Sequence, residues 1–311
     1  MPAFFSKKKI INKSKKTKKQ TNTKKQTNTF KEPDVKLCNT CYKIKNINGN
    51  FFSESVESWK DFPFHLPVLG RKTGTQEVKL DFGKTNGNKL VYYFGSKAKH
   101  SNLHSKYPNA YKDSKNTGLV KLDVNGCATI HLDCPQPYID SNYATNSKKS
   151  TNSKNTLSRR TYISHIHMLL SNKDMTAWSD KLYTQNILCC VDKKFVSKSI
   201  KNNSHLIINA LSKDYFDKNS IPTSHNLYYK DAQKMTKQQV VDCVKKMIYN
   251  SPDLYKNIKN NKICIQNTPI IVYCYSKTCN AGHQLSEVLH TAGFTNVVDY
   301  KDGILGWMGR N

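Results

Sequence analysis

The chain has 311 residues, and 37% of them are hydrophobic, which is enough for two compact domains of the usual size of about 150 residues. Lys and Arg number 50 against 22 Asp and Glu, and the formal net charge of +28 favours acidic or phosphate-rich partners. No apolar run reaches about 18 residues and no apolar segment follows the basic N-terminus, which excludes a membrane-spanning helix and a secretory signal. We therefore expect a cytoplasmic protein with no membrane partner.

Residues 1–50 are predicted to form a disordered, Lys-rich arm. The stretch KKQTNT occurs twice in succession, and the segment shows no hydrophobic period that a helix or a strand would need. Two interpretations stay open for residues 1–36: a solubilising tail, or an arm that binds nucleic acid non-specifically or contacts an acidic partner. The arm offers few aromatic rings for base stacking, so sequence-specific recognition is not indicated.

The ten cysteines do not resemble the dense disulfide framework of a small secreted protein. In a cytoplasmic chain we therefore expect reduced thiols, each with its own role. Cys38 and Cys41 form one CxxC in the arm, but a structural zinc site needs four ligands and no second CxxC follows at finger spacing. Metal binding at this pair is an alternative rather than the expectation.

Residues 51–191 are predicted to be an all-β unit of the β-sandwich kind. Apolar residues alternate or run briefly in VKLDF, KLVYYF, GLVKLDV, ATIHLDC and SHIHMLL, and Gly and Asn stand at the turns. Such short patterned strands are typical of packed antiparallel sheets. A Ser/Asn/Lys-rich insertion from Asp140 to Ser158 interrupts the pattern.

Residues 192–311 are predicted to form an α/β domain with a central parallel sheet. The strand-like segments HLIINAL, PIIVYCY and NVVDY alternate with the helical segments MTKQQVVDCVKKMIYN and HQLSEVLHTAG. Strands that alternate with helices pair in parallel and are covered on both faces. PIIVYC is apolar and β-branched on both faces, so it is the best candidate for the central strand.

Cys274 ends that strand and precedes a polar loop and a helix expected between about Gly282 and Gly293. At such a junction, loop N–H groups and the positive end of the helix dipole can lower the pKa of a thiol and hold an anion. Cys274 and Cys279 are the candidate reactive thiols, and an inert core Cys274 is the alternative. The remaining loop residues are candidates for anion binding, namely Tyr275, Ser276, Lys277, Thr278 and Asn280.

The C-terminal segment resembles the rhodanese, or thiosulfate sulfurtransferase, domain. LIINALSKDYFDKNSIPTSHNL is similar to the family's first strand and "HIPGA-N" stretch, IIVYC to its active-site strand, and AGFTNVVDYKDGILGW to its closing strand and turn. The resemblance implies that Cys274 carries a sulfane sulfur as a persulfide between a small sulfur donor and a thiol acceptor, with no cofactor required. It also implies that Cys279 resolves the persulfide or closes a disulfide. The Arg that the family often has in this loop is absent.

A second pattern lies in the middle segment. His165 and His167 stand two residues apart on a predicted strand and point to the same face, where Tyr138 from a neighbouring turn can join them around a metal ion. An ordinary strand with paired histidines is the alternative. The order of Asp123, Gly126 and PQPY, followed by HIHM and LYTQ, resembles the intradiol ring-cleavage dioxygenases. Members of that family are β-sandwiches that bind non-haem Fe(III) through two Tyr and two His.

This second resemblance implies that Tyr138, His165 and His167 are ligands of Fe(III) and that Gln185 lies beside the substrate. The second tyrosine ligand stays open among Tyr93, Tyr107 and Tyr111.

Three functions follow from these observations. The leading one is a multidomain protein, with a β-sandwich followed by a rhodanese-like domain, acting in sulfur transfer or thiol redox chemistry. The second is a non-catalytic structural or nucleic-acid-associated protein with degenerate enzyme domains, and the third is a non-haem iron dioxygenase with an appended rhodanese module. The Lys- and Asn-rich composition is typical of an AT-rich genome such as that of a large DNA virus, and a viral protein would also be expected in the virion.

Overall fold

The computed structural model describes residues 36–37, 74–98, 105–106, 110–111, 114–140 and 160–310. All of these residues belong to one compact unit. The predicted N-terminal arm, except for a two-residue strand, and the polar insertion after Asp140 lie outside the described residues, as does the CxxC of the arm. The structure therefore does not test the predicted disorder of the arm, the CxxC alternative or the nature of the insertion.

The described residues of the first part form β-strands and one short 3-10 helix, Lys84–Asn86. The ten strands are β1 Lys36–Leu37, β2 Gln76–Asp81, β3 Leu90–Gly95, β4 Ser105–Lys106, β5 Thr117–Lys121, β6 Cys127–Leu132, β7 Tyr138–Asp140, β8 Arg160–Tyr162, β9 His165–Ser171 and β10 Trp178–Asn186. The segments that were predicted as strands from their alternating apolar residues are found in β2, β3, β5, β6 and β9.

These strands form three sheets. A five-stranded antiparallel sheet has the order β1-β10-β9-β3-β5, and β2 pairs with β6 in a separate antiparallel ladder. In the third sheet, of order β4-β7-β8, the pair β4–β7 is parallel and β7–β8 is antiparallel.

The core of this part lies between the β2–β6 ladder and one face of the five-stranded sheet. Residues of β2 alternate between buried and exposed, as expected for a strand with one face on a core. Its Val78 and Leu80 pack with Tyr93, Ile166 and other buried residues of β3 and β9. All seven residues of β9 are buried, so the opposite face of this strand is covered as well.

The second part alternates strands and helices. Its elements are α1 Lys193–Lys201, β11 Leu206–Asn209, α2 Lys213–Lys218, β12 His225–Asn226, α3 Tyr229–Ala232, α4 Lys237–Tyr249, α5 Pro252–Asn260, β13 Ile270–Tyr273, α6 Ala281–Thr291, β14 Val297–Tyr300 and α7 Gly303–Trp307. Side chains define two of the helix starts: Asp192 accepts a hydrogen bond from the Phe195 N–H, and Thr236 with Gln239 forms a capping box. Among the described helices, none has the length and apolar character to cross a membrane.

The four strands of the second part form a parallel sheet of order β12-β11-β13-β14. The predicted parallel sheet and the central place of PIIVYC, now β13, are therefore confirmed. One face of the sheet packs against α4, α5 and α6, and the other packs against α1 and α7. Every residue of β13 is buried, which explains why this strand is apolar on both faces.

The segment that joins the two parts lies against the outer edge of β14. The Val191 N–H donates to the Asp299 carbonyl at 2.9 Å, and the Asp299 N–H donates to the Cys189 carbonyl at 2.8 Å. The Gln76 side chain of β2 binds the backbone of Cys190 in this segment through two hydrogen bonds. Its Nε2 donates to the Cys190 carbonyl at 3.0 Å, and its Oε1 accepts from the Cys190 N–H at 2.7 Å.

One cysteine pair departs from the expectation of reduced thiols. Cys134, which follows β6, and Cys189, in the joining segment, form a disulfide across a sequence separation of 55 residues. Both side chains are buried in the core of the first part. The sequence did not reveal the pair because the two cysteines are brought together only by the packing of β6 against the joining segment.

Removing this disulfide is expected to lower the free energy of unfolding by about 2–4 kcal/mol, because the cross-link reduces the conformational entropy of the unfolded chain. The measurement is urea unfolding of Cys134→Ser with and without dithiothreitol, beside wild type and a variant of the exposed free cysteine, Cys264→Ser. Reductant should destabilise wild type and Cys264→Ser but leave Cys134→Ser unchanged. Equal stability of wild type in both conditions would contradict the disulfide.

Candidate functional site

Cys274 stands at the end of the buried central strand β13, directly before the loop that leads to α6. It faces the same side of the sheet as α6, and only 2% of its surface is exposed. The helix begins at Ala281, one residue before the predicted start, and its N-cap residue is Asn280. The predicted arrangement of strand, short polar loop and helix N-terminus is therefore present.

The turn that follows β14 donates hydrogen bonds to the start of the loop that carries Cys274. The N–H of Ile304 donates to the Cys274 carbonyl at 2.9 Å, and the N–H of Leu305 donates to the Tyr275 carbonyl at 3.0 Å. Gly303 has a positive φ of 61°, and a Cβ at this position would lie 2.6 Å from the Cys274 carbonyl oxygen. Only glycine allows both the backbone conformation and the close approach.

Cys274 and Cys279 lie five residues apart in the loop, and each thiol shifts the pKa of the other. The hydrogen bond from Cys274 lowers the pKa of Cys279 to about 5, and the N–H groups of Tyr275, Ala281 and Ser276 act in the same direction. The same bond, together with burial, raises the pKa of Cys274. Cys274 Sγ also lies 3.2 Å from the Cys279 carbonyl oxygen, as expected for a thiol that still holds its proton. The pair thus forms one thiolate more readily than an isolated cysteine does.

The other predicted loop residues lie at the surface around this pair. Tyr275, Lys277, Thr278 and Asn280 are exposed, and Ser276 is half-buried. The Ser276 and Thr278 hydroxyl oxygens are 3.2 Å apart. Polar groups and one cation therefore surround the mouth of the loop.

His283 does not serve the thiol pair as a base in this structure. Its Nε2 lies 3.3 Å from a carboxylate oxygen of Glu287, one helical turn farther along α6, and both side chains are exposed. His283 therefore makes an exposed contact within the first turns of α6. A thiolate held by loop N–H groups needs no separate base.

Comparison with known families gives a match for this part of the chain. Residues 192–310 match the family model described as Rhodanese-like domain. These residues form a rhodanese-like domain. No curated protein matches the chain.

The chain is also similar to solved structures. The human single-domain sulfurtransferase TSTD1 is 12% identical, over 39% of this chain and 96% of that chain, with a TM-score of 0.28. The Saccharomyces cerevisiae single-domain sulfurtransferase RDL2 is 13% identical, over 40% of this chain and 93% of that chain, with a TM-score of 0.29. The BH2092 protein of Bacillus halodurans is 18% identical, over 39% of this chain and 72% of that chain, with a TM-score of 0.27.

A second cluster lies outside the rhodanese-like domain, on the covered face of β9. Tyr138 Oη lies 3.2 Å from His165 Nε2, and Tyr111 Oη lies 3.2 Å from Tyr138 Oη and 3.4 Å from His165 Nε2. The Nε2 atoms of His165 and His167 are 3.2 Å apart. Two phenols and two imidazoles therefore direct their polar atoms at one point, and all four side chains are buried.

The outer nitrogens of both histidines are engaged elsewhere. His165 Nδ1 donates to the Ile163 carbonyl at 2.6 Å, which leaves its Nε2 as a lone-pair donor. His167 Nδ1 lies 2.9 Å from Thr184 Oγ1. Burial lowers the pKa of His165 to about 4 and the pKa of His167 well below its usual value, so both rings are neutral.

This donor set fits a metal ion. Neutral imidazoles with orienting partners on Nδ1 are the usual state of histidine ligands, and phenolates are hard donors that suit a ferric ion. Among the described residues, no group of three or more His, Cys, Asp or Glu could hold a metal, so any site here depends on the two tyrosines.

The structure describes two of the three tyrosines that were candidates for the second tyrosine ligand, and it also describes Gln185. Tyr111 joins the cluster, whereas Tyr93 faces the opposite side of the sheet with Met168, and Tyr107 lies outside the described residues. Gln185 also points away, because its Nε2 donates to the Lys79 carbonyl of β2. The prediction that Gln185 lies beside a substrate at this cluster is therefore wrong.

Sequence reasoning missed Asp299 and did not recognise the role of Gly303. Asp299 lies on β14 next to the thiol loop, and it is buried. A charged residue inside the apolar strand NVVDY was the available signal.

Gly303→Ala is expected to lower the free energy of unfolding by about 2–4 kcal/mol and to displace the thiol loop, because the methyl group meets the Cys274 carbonyl. Gly309→Ala is the matched control: φ there is 71°, yet a Cβ would meet no atom within 4 Å. We expect the control to lose about 1 kcal/mol through its backbone alone. Urea unfolding and the alkylation rate of Cys279 are the measurements, and equal effects of the two substitutions would contradict the role of Gly303.

Proposed function

We propose that the rhodanese-like domain transfers sulfane sulfur, with Cys274 as the carrier and Cys279 as the second thiol. The observation that carries the proposal is the position of Cys274 at the end of the buried central strand, in one loop with Cys279 and directly before the N-terminus of α6. Such a pair offers a stabilised thiolate, which is the nucleophile that sulfur chemistry needs. The two thiols share one proton, so its movement from Cys274 to Cys279 makes Cys274 the nucleophile.

The first step uses a small anionic donor such as thiosulfate. The Cys274 thiolate attacks the outer sulfur of thiosulfate, a new S–S bond forms, and the S–S bond of the donor breaks with its electron pair leaving on sulfite. The products are a Cys274 persulfide anion and sulfite, so charge and electrons balance. Lys277 at the mouth of the loop and the N–H groups of the loop attract the anion.

The second step returns the sulfur. An external thiolate attacks the outer sulfur of the persulfide and leaves with it, which regenerates the Cys274 thiolate. Without an acceptor, the Cys279 thiolate attacks Cys274 Sγ of the protonated persulfide. That reaction forms a disulfide between the two cysteines and releases HS⁻. The outer sulfur is reduced and Cys279 is oxidised, whereas Cys274 Sγ keeps the oxidation level that it had in the persulfide.

The test is the intact mass of the reduced protein after incubation with thiosulfate, for wild type, Cys274→Ser and Cys279→Ser. We expect wild type and Cys279→Ser to gain one sulfur atom and Cys274→Ser to gain none. Cys274 belongs to the core, so circular dichroism of each variant is the check that its fold is retained.

The exposed cysteine variant Cys264→Ser serves as the control and should behave as wild type. A gain that disappears only in Cys279→Ser would make Cys279 the carrier. If no form gains sulfur and the pair also fails to react with thiol probes, the proposal is wrong and a non-catalytic binding role is favoured.

A second candidate function rests on the cluster of Tyr111, Tyr138, His165 and His167. We infer that the sheets of the first part form a β-sandwich of the intradiol dioxygenase kind and that these four side chains are ligands of Fe(III). When bound, the ferric ion would supply the Lewis acidity and redox chemistry of ring cleavage. The protein's own part is to keep both histidines neutral and to keep the cluster dry, with Phe94 and Tyr162 packed against its rings.

Titration of the protein with ferric ion is expected to produce the visible absorption of iron bound to tyrosinate. Tyr111→Phe and Tyr138→Phe should each weaken or shift this band, because each removes one phenolate. Tyr93→Phe is the matched control, since Tyr93 is equally buried but faces the other side of β3. A colourless protein that retains no iron after gel filtration would contradict the proposal.

A further inference from the structure

Two tyrosine rings stand together at the surface of the rhodanese-like domain, where α4 ends and α5 begins. Tyr249 is the last residue of α4, and Tyr255 lies in the first turns of α5. Their ring centroids are 5.2 Å apart with an interplanar angle of 71°, and 57% of Tyr249 and 38% of Tyr255 is exposed. Neither ring belongs to the hydrophobic core of the domain. Adjacent exposed rings of this kind are apolar surface that a bound partner would cover.

A lysine flanks each of these rings. Lys246 precedes Tyr249 by three residues, and Lys259 follows Tyr255 by four residues, so each lysine lies on the same side of its helix as the neighbouring ring. Both lysines are exposed. Within the described part of the chain, neither of them forms an ion pair. We call Tyr249, Tyr255, Lys246 and Lys259 the Tyr–Lys surface.

The acidic residues of the same two helices leave this surface positive. Residues 237–262 contain six Lys and two Asp. One of the two, Asp242, lies 3.6 Å from the Lys245 ammonium group, and the other, Asp253, accepts a hydrogen bond from Asn203 Nδ2 at 3.5 Å. The two rings therefore lie in a positive field, which attracts a negatively charged partner.

The position of α5 separates this surface from the thiol loop. Asn257 Nδ2 of α5 donates to the Asn203 carbonyl at 3.3 Å, and Asn203 precedes the first residue of β11 by three residues. Because β11 and β13 are parallel, this contact places α5 near the end of the sheet where the strands begin. Cys274 stands at the other end, where β13 stops. The Tyr–Lys surface is therefore not explained by the proposed sulfur chemistry.

We propose that the Tyr–Lys surface binds single-stranded nucleic acid. Bases stack on the rings of Tyr249 and Tyr255, and backbone phosphates contact Lys246 and Lys259. Every base has a flat π-face, so such stacking tolerates any sequence, and the lysines release counterions from the phosphates. A duplex keeps its bases stacked inside, so it offers these rings no partner. The proposal goes beyond sulfur transfer and does not depend on it.

A second pair of exposed tyrosines in the same domain lacks the positive surroundings. Tyr215 of α2 is also 57% exposed, and its ring centroid lies 6.4 Å from that of Tyr275. The charges of α2 balance, however, because Lys213–Lys218 contains two Lys and two Asp. Tyr215 therefore provides a matched control for an exposed ring without an excess of positive charge.

The experiment measures the Kd of the full chain by fluorescence anisotropy, with labelled oligothymidylate, oligouridylate and a DNA duplex, each of about 20 nucleotides, a length that spans the usual single-strand site. Tyr249→Ala and Tyr255→Ala should each weaken single-strand binding about tenfold, because each removes one stacking ring. Duplex binding should not change, since lysines elsewhere in the chain supply it. An effect on both single strands indicates stacking alone, and an effect on one of them identifies it as the ligand.

Two further variants separate stacking from a structural role of the rings. Tyr249→Phe keeps the π-face and should bind as wild type, whereas Tyr215→Ala removes an equally exposed ring from α2 and should also bind as wild type. The proposal is overturned if Tyr249→Ala binds single strands as Tyr215→Ala does. It is also overturned if wild type binds the duplex as tightly as the single strands.

The dependence of Kd on salt tests the two lysines. Lys246→Gln with Lys259→Gln should lower the slope of log Kd against log salt concentration by about 1.4 for a single strand, because two phosphate contacts are lost. Lys194→Gln with Lys198→Gln is the matched control: it removes two exposed charges of α1, which packs on the other face of the sheet, and the slope should stay as in wild type. An equal change of slope in both double variants would contradict a contact at Lys246 and Lys259.

An acidic polypeptide is the other class of partner that a positive surface attracts, and labelled polyglutamate represents it. Polyglutamate carries negative charge but no flat rings, so Tyr249→Ala should leave its binding unchanged. If Tyr249→Ala weakens polyglutamate as much as oligothymidylate, the surface fits an acidic polypeptide and the nucleic-acid proposal is overturned.

Discussion

Strand β13 pairs with β11 on one side and with β14 on the other, and helices cover both of its faces. A strand in this position cannot shift along its neighbours without moving every buried side chain to the wrong place. Its end is therefore fixed in space, and Cys274 stands at that end. The loop, the start of α6 and the turn at Gly303 are arranged around this one position, and the acidity of the thiol pair depends on that arrangement.

Both candidate sites gather titratable groups where water is scarce and counter-charges are few. In the loop, the Cys274 side chain and backbone N–H groups lower the pKa of the Cys279 thiol. Asp299 is a third acidic group in the same region. At the cluster of Tyr111, Tyr138, His165 and His167, the condition keeps both imidazoles neutral and leaves their lone pairs aimed at one point. The same physical effect, the unfavourable burial of charge, thus favours a single thiolate in the loop and two neutral imidazoles in the cluster.

The two parts of the chain meet at the outer edge of β14. The joining segment pairs with the backbone of Asp299, the Gln76 side chain of β2 holds that segment, and the disulfide of Cys189 ties it to the core of the first part. Val298 contributes to the packing of both parts. The backbone of Asp299 is therefore held on one side by β13 of the rhodanese-like domain and on the other side by the joining segment. This pairing explains how a buried carboxyl can stay in place although its Oδ1 has no hydrogen-bond partner among the described residues.

The sequence by itself determined the local features. Alternation at period two predicted the strands and placed His165 and His167 on one face, and the alternation of apolar strands with helices predicted the parallel sheet with Cys274 at the end of its central strand. Such features depend on residues close in the chain, so the pattern is sufficient. The tertiary structure alone decided which distant groups meet: Tyr111 rather than Tyr93 at the cluster, Cys134 with Cys189, Gly303 beneath the loop, and Asp299 beside the thiols. Those contacts depend on strand register and on the path of loops across the sheets, and neither is encoded in any short stretch of sequence.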